Sequence, residues 1–316
     1  MNKKISIIIP TYNEQESLPF LHEKLNEIMG QMPKYDFEIL FVNDGSKDKS
    51  LEIIKKFREE DGRYNYIDFS RNFGQEIAMA AGLDYVTGDC AIFMDADLQD
   101  PPELIPELVK HWEEGYDDIY AKRRTRGEES WLRRQFSLAF YGILQRMSRI
   151  DILPNVGDFR LLDRRCVLTL RRLRECERYT KGLFCWIGYQ KKSIEFDRGD
   201  RLMGHSSWNF LKLLNLAVEG ITSFSIAPLR IATVCGVLCS ISSFIYAIYF
   251  LIKTVLYGDE TAGFPTLIIV MLFLGGIQLF SLGIIGEYVG RIFKETKGRP
   301  TYIASDYNEE KLGYDR

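Results

Sequence analysis

Short apolar runs alternate with amphipathic segments along the N-terminal part of the chain. Residues 5–9 are apolar and largely β-branched, which is typical of a parallel strand buried on both faces. Further strands are predicted at 37–42, 64–69 and 90–94. Apolar residues at helical spacing predict helices at 16–29, 48–60 and 76–86. This alternation predicts an α/β fold built on a mostly parallel sheet.

Polar residues follow each of the four predicted strands. In chain order they are Tyr12, Glu14, Asp44, Arg71, Asp95 and Asp97. In parallel α/β sheets, ligands bind beyond the carboxyl ends of the strands. Because four polar loops would meet at that edge, the sequence predicts a ligand site there.

The acidic pair Asp95 and Asp97 ends the strand at 90–94. Side chains two residues apart in an extended segment share one face, so these carboxylates are expected to lie together. Close carboxylates repel each other unless a cation lies between them and a second anion. Mg²⁺ is commonly held by one or two carboxylates and substrate phosphates. The pattern leaves two interpretations open, a metal–diphosphate site and a solvated turn at the strand end.

Two long uncharged segments follow in the C-terminal third of the chain. Segment 231–252 has 22 residues and segment 261–286 has 26, none of them charged. At about 1.5 Å per residue, the shorter one spans about 33 Å, enough for a bilayer core of about 30 Å. Basic residues flank the pair at Arg230, Arg291 and Lys294, which predicts that both outer ends face the cytosol. Two buried helices of a soluble domain are the alternative.

These patterns predict a multi-pass membrane protein with a cytosolic N-terminal domain and both termini in the cytosol. The predicted parts are a cytosolic domain at 1–205, an amphipathic juxtamembrane region at 206–230, transmembrane helices at 231–252 and 261–286, and a cytosolic tail at 287–316.

The composition adds two constraints. The formal net charge of the 316 residues is −3, so nothing in the totals indicates a nucleic-acid partner. The six cysteines form no Cys-x-x-Cys pair and are predicted to be reduced. The basic run 122–127 is either a solvated loop or a phosphate-neutralising one. The amphipathic segment 131–147 is either core or a helix on the bilayer surface.

Several motifs occur together. They are Pro-Thr-Tyr-Asn-Glu at 10–14, Asn-Asp-Gly-Ser at 43–46, Arg-Asn-Phe-Gly at 71–74, Asp-Ala-Asp-Leu-Gln-Asp-Pro-Pro-Glu at 95–103, Gly-Asp-Phe-Arg at 157–160 and Ser-Phe-Ser-Ile-Ala-Pro-Leu-Arg at 223–230. The set resembles inverting family-2 glycosyltransferases with a GT-A fold, and among them polyprenyl-phosphate glycosyltransferases of the bactoprenol glucosyltransferase and dolichol-phosphate mannosyltransferase kind. The resemblance covers nearly the whole chain.

The resemblance implies a role for each motif. The residues implied to hold the nucleotide sugar are Pro10, Tyr12, Glu14, Val42, Asp44, Asp95, Ala96, Arg124 and Arg201. Mg²⁺ or Mn²⁺ would be held by Asp97 and Gln99, with Asp95 beside them. Asp158, just before a predicted strand, would stand near the acceptor phosphate as the candidate base. The lipid phosphate would be steered by Arg133, Arg134 or Arg146.

The implied activity is the transfer of a sugar, foremost glucose from UDP-glucose, to a polyprenyl phosphate in the bilayer. A processive polysaccharide synthase is one alternative, although its Gln-x-x-Arg-Trp motif is absent from the sequence. A non-catalytic nucleotide-binding membrane scaffold is the other. The oligomeric state stays open, with a homo-oligomer among the options.

Two positions depart from the family pattern. Asn43 stands where the family has the first acid of Asp-Asp-Gly-Ser. Ser207 stands where the family has the lysine of Gly-x-Ser-Lys, so the phosphate-gripping lysine of that loop is missing. His205 or a neighbouring arginine is expected to replace it.

Overall fold

The computed structural model describes residues 2–124, 156–176, 178–196, 227–257 and 263–308. They fall into two compact units. The first holds the described residues up to 196 together with 300–308, and the second holds the described residues from 227 to 299.

The first unit is an α/β structure. Its first half comprises β1 (Lys3–Thr11), α1 (Leu18–Gln31), β2 (Tyr35–Asn43), α2 (Ser50–Glu60), β3 (Tyr64–Phe69), α3 (Gln75–Tyr85) and β4 (Cys90–Phe93). After a 3₁₀ turn come α4 (Ile105–Glu113), β5 (Asp118–Arg123), β6 (Val156–Asp163), α5 (Arg164–Arg171), α6 (Thr180–Trp186), β7 (Lys191–Phe196) and, much later, β8 (Ala304–Tyr307). The predicted alternation up to β4 is confirmed.

The eight strands form one sheet in the order β7-β5-β6-β4-β1-β2-β3-β8. Strand β1 is central and pairs in parallel with β2 and β4, and β3 is parallel to β2. The other half is mixed, because β6 runs antiparallel to both β4 and β5 while β7 is parallel to β5. This is the Rossmann-like sheet of the GT-A fold, and its parallel half carries the four predicted polar loops.

Strand β1 is buried on both faces, as its continuous apolar run predicts. Ile5, Ile7, Ile8 and Ile9 are all fully buried. On one face α3 lies very close, since a Cβ added at Gly82 would come within 2.2 Å of Ile8 Cγ2. The small residues of α3 therefore let this helix pack directly on the central strand.

The buried carboxylate of Glu38 ties strands together at the edge opposite the polar loops. It accepts hydrogen bonds from Ser6 Oγ and from the Thr87 backbone N–H at 2.9 Å, and it pairs with Lys4 Nζ at 3.1 Å. Burial by itself would raise the pKa of Glu38, but the donors from Ser6, Thr87 and Lys4 outweigh it and lower the pKa below its ordinary value.

The substitution Glu38→Gln is therefore expected to lower the free energy of unfolding by about 1–3 kcal/mol at neutral pH, because buried donors lose a charged acceptor. Since the folded-state pKa is depressed, this contribution is present above the ordinary glutamate pKa and is lost as the pH falls through the folded value. Thermal unfolding of both proteins between pH 7 and pH 3 checks this. A stability difference that stays constant down to pH 3 would contradict it.

The second unit consists of two long helices, α7 (Ala227–Tyr257) and α8 (Phe264–Thr296), with 31 and 33 residues. Among the described residues, the segment Phe273–Thr296 of α8 is long and apolar enough to cross a membrane, judged by length and composition. Helix α7 extends beyond the predicted span 231–252 at both ends, whereas α8 begins inside the predicted span 261–286 and continues past its C-terminal end. All six cysteines are free of disulfide bonds in this structure.

Candidate active site

The loops after β1 and β2 are joined by hydrogen bonds. The backbone N–H of Asp44 donates to Thr11 O at 2.9 Å. Asn13 has a positive φ of 57° and bonds the second loop twice, donating from its N–H to Ser46 Oγ and accepting from the Lys47 N–H. Tyr12, between them, keeps 42% of its surface exposed. The loops after β1 and β2 therefore form one continuous surface, on which an aromatic side chain is exposed.

The Asp44 carboxylate holds the third loop. Its two oxygens accept the backbone N–H groups of Phe73 at 2.6 Å and Gly74 at 2.9 Å. Asp44 is 4% exposed, and burial raises its pKa although these two N–H groups oppose the shift. Asp44 thus holds the loop 71–74 beside the first two loops. This structural role is in addition to the nucleotide contact that the family resemblance implies for Asp44.

Gly45 allows this close approach. It has a φ of +65°, and a Cβ placed on it would lie 2.6 Å from the backbone carbon of Arg71. We expect Gly45→Ala to displace the loop 71–74 and to weaken UDP binding by about tenfold or more, since strain at such a position costs on the order of 1–3 kcal/mol. Calorimetric titration with UDP measures the effect.

Gly30→Ala is the matched control for this substitution, because a Cβ at Gly30 in α1 meets nothing within 4 Å. The control protein is expected to bind UDP like the wild type. Equal UDP affinity of all three proteins would show that this loop contact plays no part in binding.

The acidic pair lies in a turn and not in an extended segment. Strand β4 ends at Phe93, and Leu98 has a positive φ of 59°. The expectation that spacing alone puts Asp95 and Asp97 on one face is therefore wrong, because the period of two applies only within a strand. Hydrogen bonds fix the two side chains separately: Asp95 Oδ1 accepts from Gln75 Nε2 at 3.0 Å, and Asp97 Oδ1 accepts from the Gln99 N–H at 3.1 Å.

The register of the sheet brings a second acid to this turn. Phe93 is paired with Arg160 of the antiparallel strand β6. Asp95 follows Phe93 by two residues and Asp158 precedes Arg160 by two, and the charge of Asp158 acts on the Asp95 carboxylate. Burial raises the pKa of Asp95 well above its ordinary value, and the charges of Asp100, Asp158 and Asp97 add to the shift. Asp158 itself lies inside β6 and not before it.

Gln99 supports a cation at this turn. Its side chain is 3% exposed, yet its Oε1 has no hydrogen-bond partner among the described residues. A buried acceptor without a donor is costly, and amide and carboxylate oxygens suit Mg²⁺ and Mn²⁺. Gln99 and Asp97 therefore fit such an ion, although the part of the chain that the structure describes contains no group of three His, Cys, Asp or Glu arranged to hold one.

The sequence reasoning missed two charged residues at this edge, Glu76 and Lys181. Lys181 Nζ lies 3.7 Å from Asp158 Oδ2. Glu76, in the first turn of α3, accepts the backbone N–H of Thr180 at 2.8 Å. Burial raises the pKa of Glu76, and the charge of Asp158 adds to it. The polar run 178–181 before the apolar segment 182–189 was the available signal, but it matches no motif.

Helix α6, which begins with Thr180 and Lys181, is anchored at its other end by Arg160. The guanidinium of Arg160 lies 3.8 Å from the centre of the Phe184 ring and pairs with Asp118 at 3.2 Å. The side chains of Arg160 and Asp118 are 3% and 0% exposed, so the pair is fully buried beneath the helix.

Four other predicted residues lie at or just beyond the ends of strands. Pro10 and Val42 are register partners at the ends of β1 and β2, and Val42 and Ala96 are buried. Arg124 is exposed beyond β5, with its Nε 3.9 Å from Glu195 Oε2. Four predicted residues lie outside the described residues: Arg133, Arg134, Arg146 and Arg201.

Comparisons with known proteins identify the family of this chain. The family described as glycosyl transferase family 2 matches residues 6–170, and that described as the GtrB C-terminal hairpin matches residues 227–292. An uncharacterized glycosyltransferase of Synechocystis is 46% identical over 97% of this chain and 96% of its own length. A bactoprenol glucosyl transferase of Shigella phage SfX is 43% identical over 95% of this chain and 98% of its own.

Among solved structures, glucosyl-3-phosphoglycerate synthase of Mycobacterium tuberculosis is 18% identical, covers 69% of this chain and 77% of its own, and has a TM-score of 0.45.

Proposed function

This chain belongs to glycosyl transferase family 2, and from that premise we propose that it transfers glucose from UDP-glucose to a polyprenyl phosphate of the cytoplasmic membrane. The observation that carries the proposal is the acidic turn 95–100 placed against Asp158 at the edge where four loops meet. The bactoprenol glucosyl transferase of the phage, similar along nearly the whole chain, supports both the sugar and the lipid acceptor.

In this proposal the donor binds to the surface formed by the loops after β1, β2 and β3. The exposed ring of Tyr12 offers a stacking surface for the base. Asp44, which binds the Phe73 N–H, and Glu14, which accepts from Ser17 Oγ, belong to the adjoining loops. The diphosphate reaches Asp95 and Ala96 in the acidic turn. Arg124 and Arg201 are proposed to contact phosphate oxygens.

A divalent cation, Mg²⁺ or Mn²⁺, is proposed to be held by Asp97 and Gln99, with Asp95 nearby. When bound, such an ion stabilises negative charge on a departing diphosphate. The unpartnered Oε1 of Gln99 is the feature of this chain that supports it.

In the reaction, an oxygen of the lipid phosphate attacks the anomeric carbon of the sugar while the bond from that carbon to the UDP oxygen breaks. UDP leaves, and the sugar is left on the lipid phosphate with inverted configuration. The second pKa of a phosphate monoester is about 6, so the nucleophile is already largely ionised at neutral pH. Asp158 therefore needs little basicity, and its proposed role is to orient the acceptor.

The membrane arrangement rests on the path of the chain. Strand β8 follows α8 in sequence and belongs to the same sheet as β1 to β3. Residues 304–307 must therefore lie on the same side of a membrane as β1, so the chain between them crosses an even number of times. We propose two crossings, through α7 and α8, with the sheet in the cytosol. Arg133, Arg134 and Arg146 are proposed to guide the lipid phosphate.

The test uses the purified full chain in lipid nanodiscs containing polyprenyl phosphate, with a panel of nucleotide sugars and Mg²⁺ or Mn²⁺. We expect UDP release from UDP-glucose that depends on the lipid phosphate, and glucose recovered in the lipid fraction. A polysaccharide synthase would lengthen a polymer without consuming the lipid phosphate, and a scaffold would bind UDP without turnover. Absence of sugar transfer to any isoprenoid phosphate would refute the proposal.

A further inference from the structure

We propose that Lys181 binds a substrate phosphate oxygen beside Asp158. This inference rests on the proposed function, in which both substrates carry phosphate groups. The chemistry it assigns to Lys181 is recognition of an anionic phosphate oxygen, supplied either by the lipid acceptor or by the diphosphate of the donor.

The Lys181 ammonium lies too far from Asp158 for a close hydrogen bond, so it can donate to a ligand. Charge-assisted N–H···O hydrogen bonds are about 2.7–2.9 Å long. Lys181 Nζ lies 3.7 Å from Asp158 Oδ2, so the two groups attract each other without a close hydrogen bond. Asp158 Oδ1 is buried and has no hydrogen-bond partner among the described residues. A lysine carries three donors, so Lys181 can face Asp158 and still donate to a phosphate oxygen.

The surroundings of Lys181 are strongly acidic. Burial raises the pKa of both Asp95 and Glu76, and in each case the Lys181 ammonium opposes the shift. Carboxylates without a compensating charge repel the phosphates that the site is proposed to bind. Lys181 therefore supplies positive charge beside Asp95 and Asp158, where the substrates are proposed to meet.

The fold positions this ammonium from two directions. Glu76 accepts the backbone N–H of Thr180 at 2.8 Å and so fixes the start of α6. Further along α6, Phe184 is fully buried, stacks under Arg160 at 3.8 Å and packs against Phe93 with ring centres 5.8 Å apart. A lysine held on a helix anchored at both ends is pre-organised for binding.

The simpler explanation is that Lys181 only neutralises Asp158. The Lys181 side chain is 37% exposed, and ion pairs with such exposure contribute about 0–1 kcal/mol. On that explanation, removal of Lys181 would either leave phosphate binding nearly unchanged or weaken it only through the uncompensated Asp158 charge, so that adding Asp158→Asn would fully restore it. The two explanations therefore predict different results.

The test compares Lys181→Met, which keeps the apolar stem, with Lys181→Arg, which keeps the charge. Binding of UDP and of a short-chain polyprenyl phosphate to the full chain in detergent is measured by calorimetry, together with KM and kcat. We expect Lys181→Met to weaken the binding of one of the two ligands about 10- to 100-fold, because a hydrogen bond to a charged group is lost. Lys181→Arg is expected to recover most of that affinity.

The affected ligand identifies the source of the phosphate. A loss confined to polyprenyl phosphate assigns Lys181 to the acceptor, and a loss confined to UDP assigns it to the donor; both support the proposal. Lys34→Met is the matched control, because Lys34 forms an exposed pair with Glu113 at 3.1 Å. It is expected to bind both ligands normally.

Unchanged affinity for both ligands in Lys181→Met overturns the inference, as does full recovery of affinity when Asp158→Asn is added to that variant. Because binding is measured without turnover, the inference and the proposed function fail separately. Wild-type protein that binds UDP but transfers no sugar refutes the function, whereas an active wild type with an unaffected Lys181→Met variant refutes only the role of Lys181.

Discussion

Replacing Asp97 by asparagine is expected to lower kcat/KM for sugar transfer by about 10³-fold at saturating Mg²⁺ or Mn²⁺. A bound cation contributes several kcal/mol to stabilising charge in a transition state, and about 1.4 kcal/mol corresponds to a tenfold change in rate. The amide removes one negative charge while keeping the acceptor for the Gln99 N–H at 3.1 Å, so the turn itself is preserved. Product formation is measured over a range of metal concentrations.

Asp36→Asn is the control for this substitution. Asp36 is an exposed acid near the start of β2, and its contact is a 3.4 Å hydrogen bond from Asn2. Chelation of divalent ions is expected to abolish transfer by the wild type, and added Mg²⁺ or Mn²⁺ to restore it. An Asp97→Asn protein that turns over at nearly the wild-type rate with metal present would remove Asp97 from the metal site.

The second large effect is expected from Asp118→Asn, which leaves the buried guanidinium of Arg160 without its counter-charge. Breaking a buried ion pair by removing one partner typically costs about 3–5 kcal/mol. Burial raises the pKa of Asp118, although the charge of Arg160 opposes the shift. Thermal unfolding of the full chain in detergent is expected to occur at a clearly lower temperature.

The double variant Asp118→Leu with Arg160→Met tests the cause. Replacing a buried pair by apolar residues of similar volume is often neutral, so this protein is expected to be more stable than Asp118→Asn alone. Since Arg160 also packs on Phe184 of α6, the stability of that helix should follow the same order. An Asp118→Asn protein as stable as the wild type would show that the Arg160 charge is neutralised elsewhere.

Much of the first half of the fold follows from local patterns. Residues 5–9 predicted a strand buried on both faces, and β1 is such a strand. The polar loops were predictable because parallel strands put their carboxyl ends on one edge, which needs no knowledge of distant contacts.

The features that the sequence could not predict depend on strand pairing in the mixed half of the sheet. Strand β6, which carries Asp158, pairs antiparallel with β4 just ahead of the acidic turn, and neither segment encodes this register by itself. Glu76 and Thr180 are joined although 104 positions separate them. The turn at Asp95 and Asp97 was mispredicted because the rule for side-chain alternation was applied beyond the last residue of β4.

The position of β8 has a consequence for synthesis on the ribosome. The edge of β3 is covered by β8, and Tyr302 just before it stacks on Phe69 at 5.1 Å and donates to Asp84 at 2.9 Å. Translation makes both apolar helices before residues 304–307, so a nascent chain exposes the open β3 edge until those helices have been made. Completion of the eight-stranded sheet is thereby postponed until the two long apolar helices have been translated.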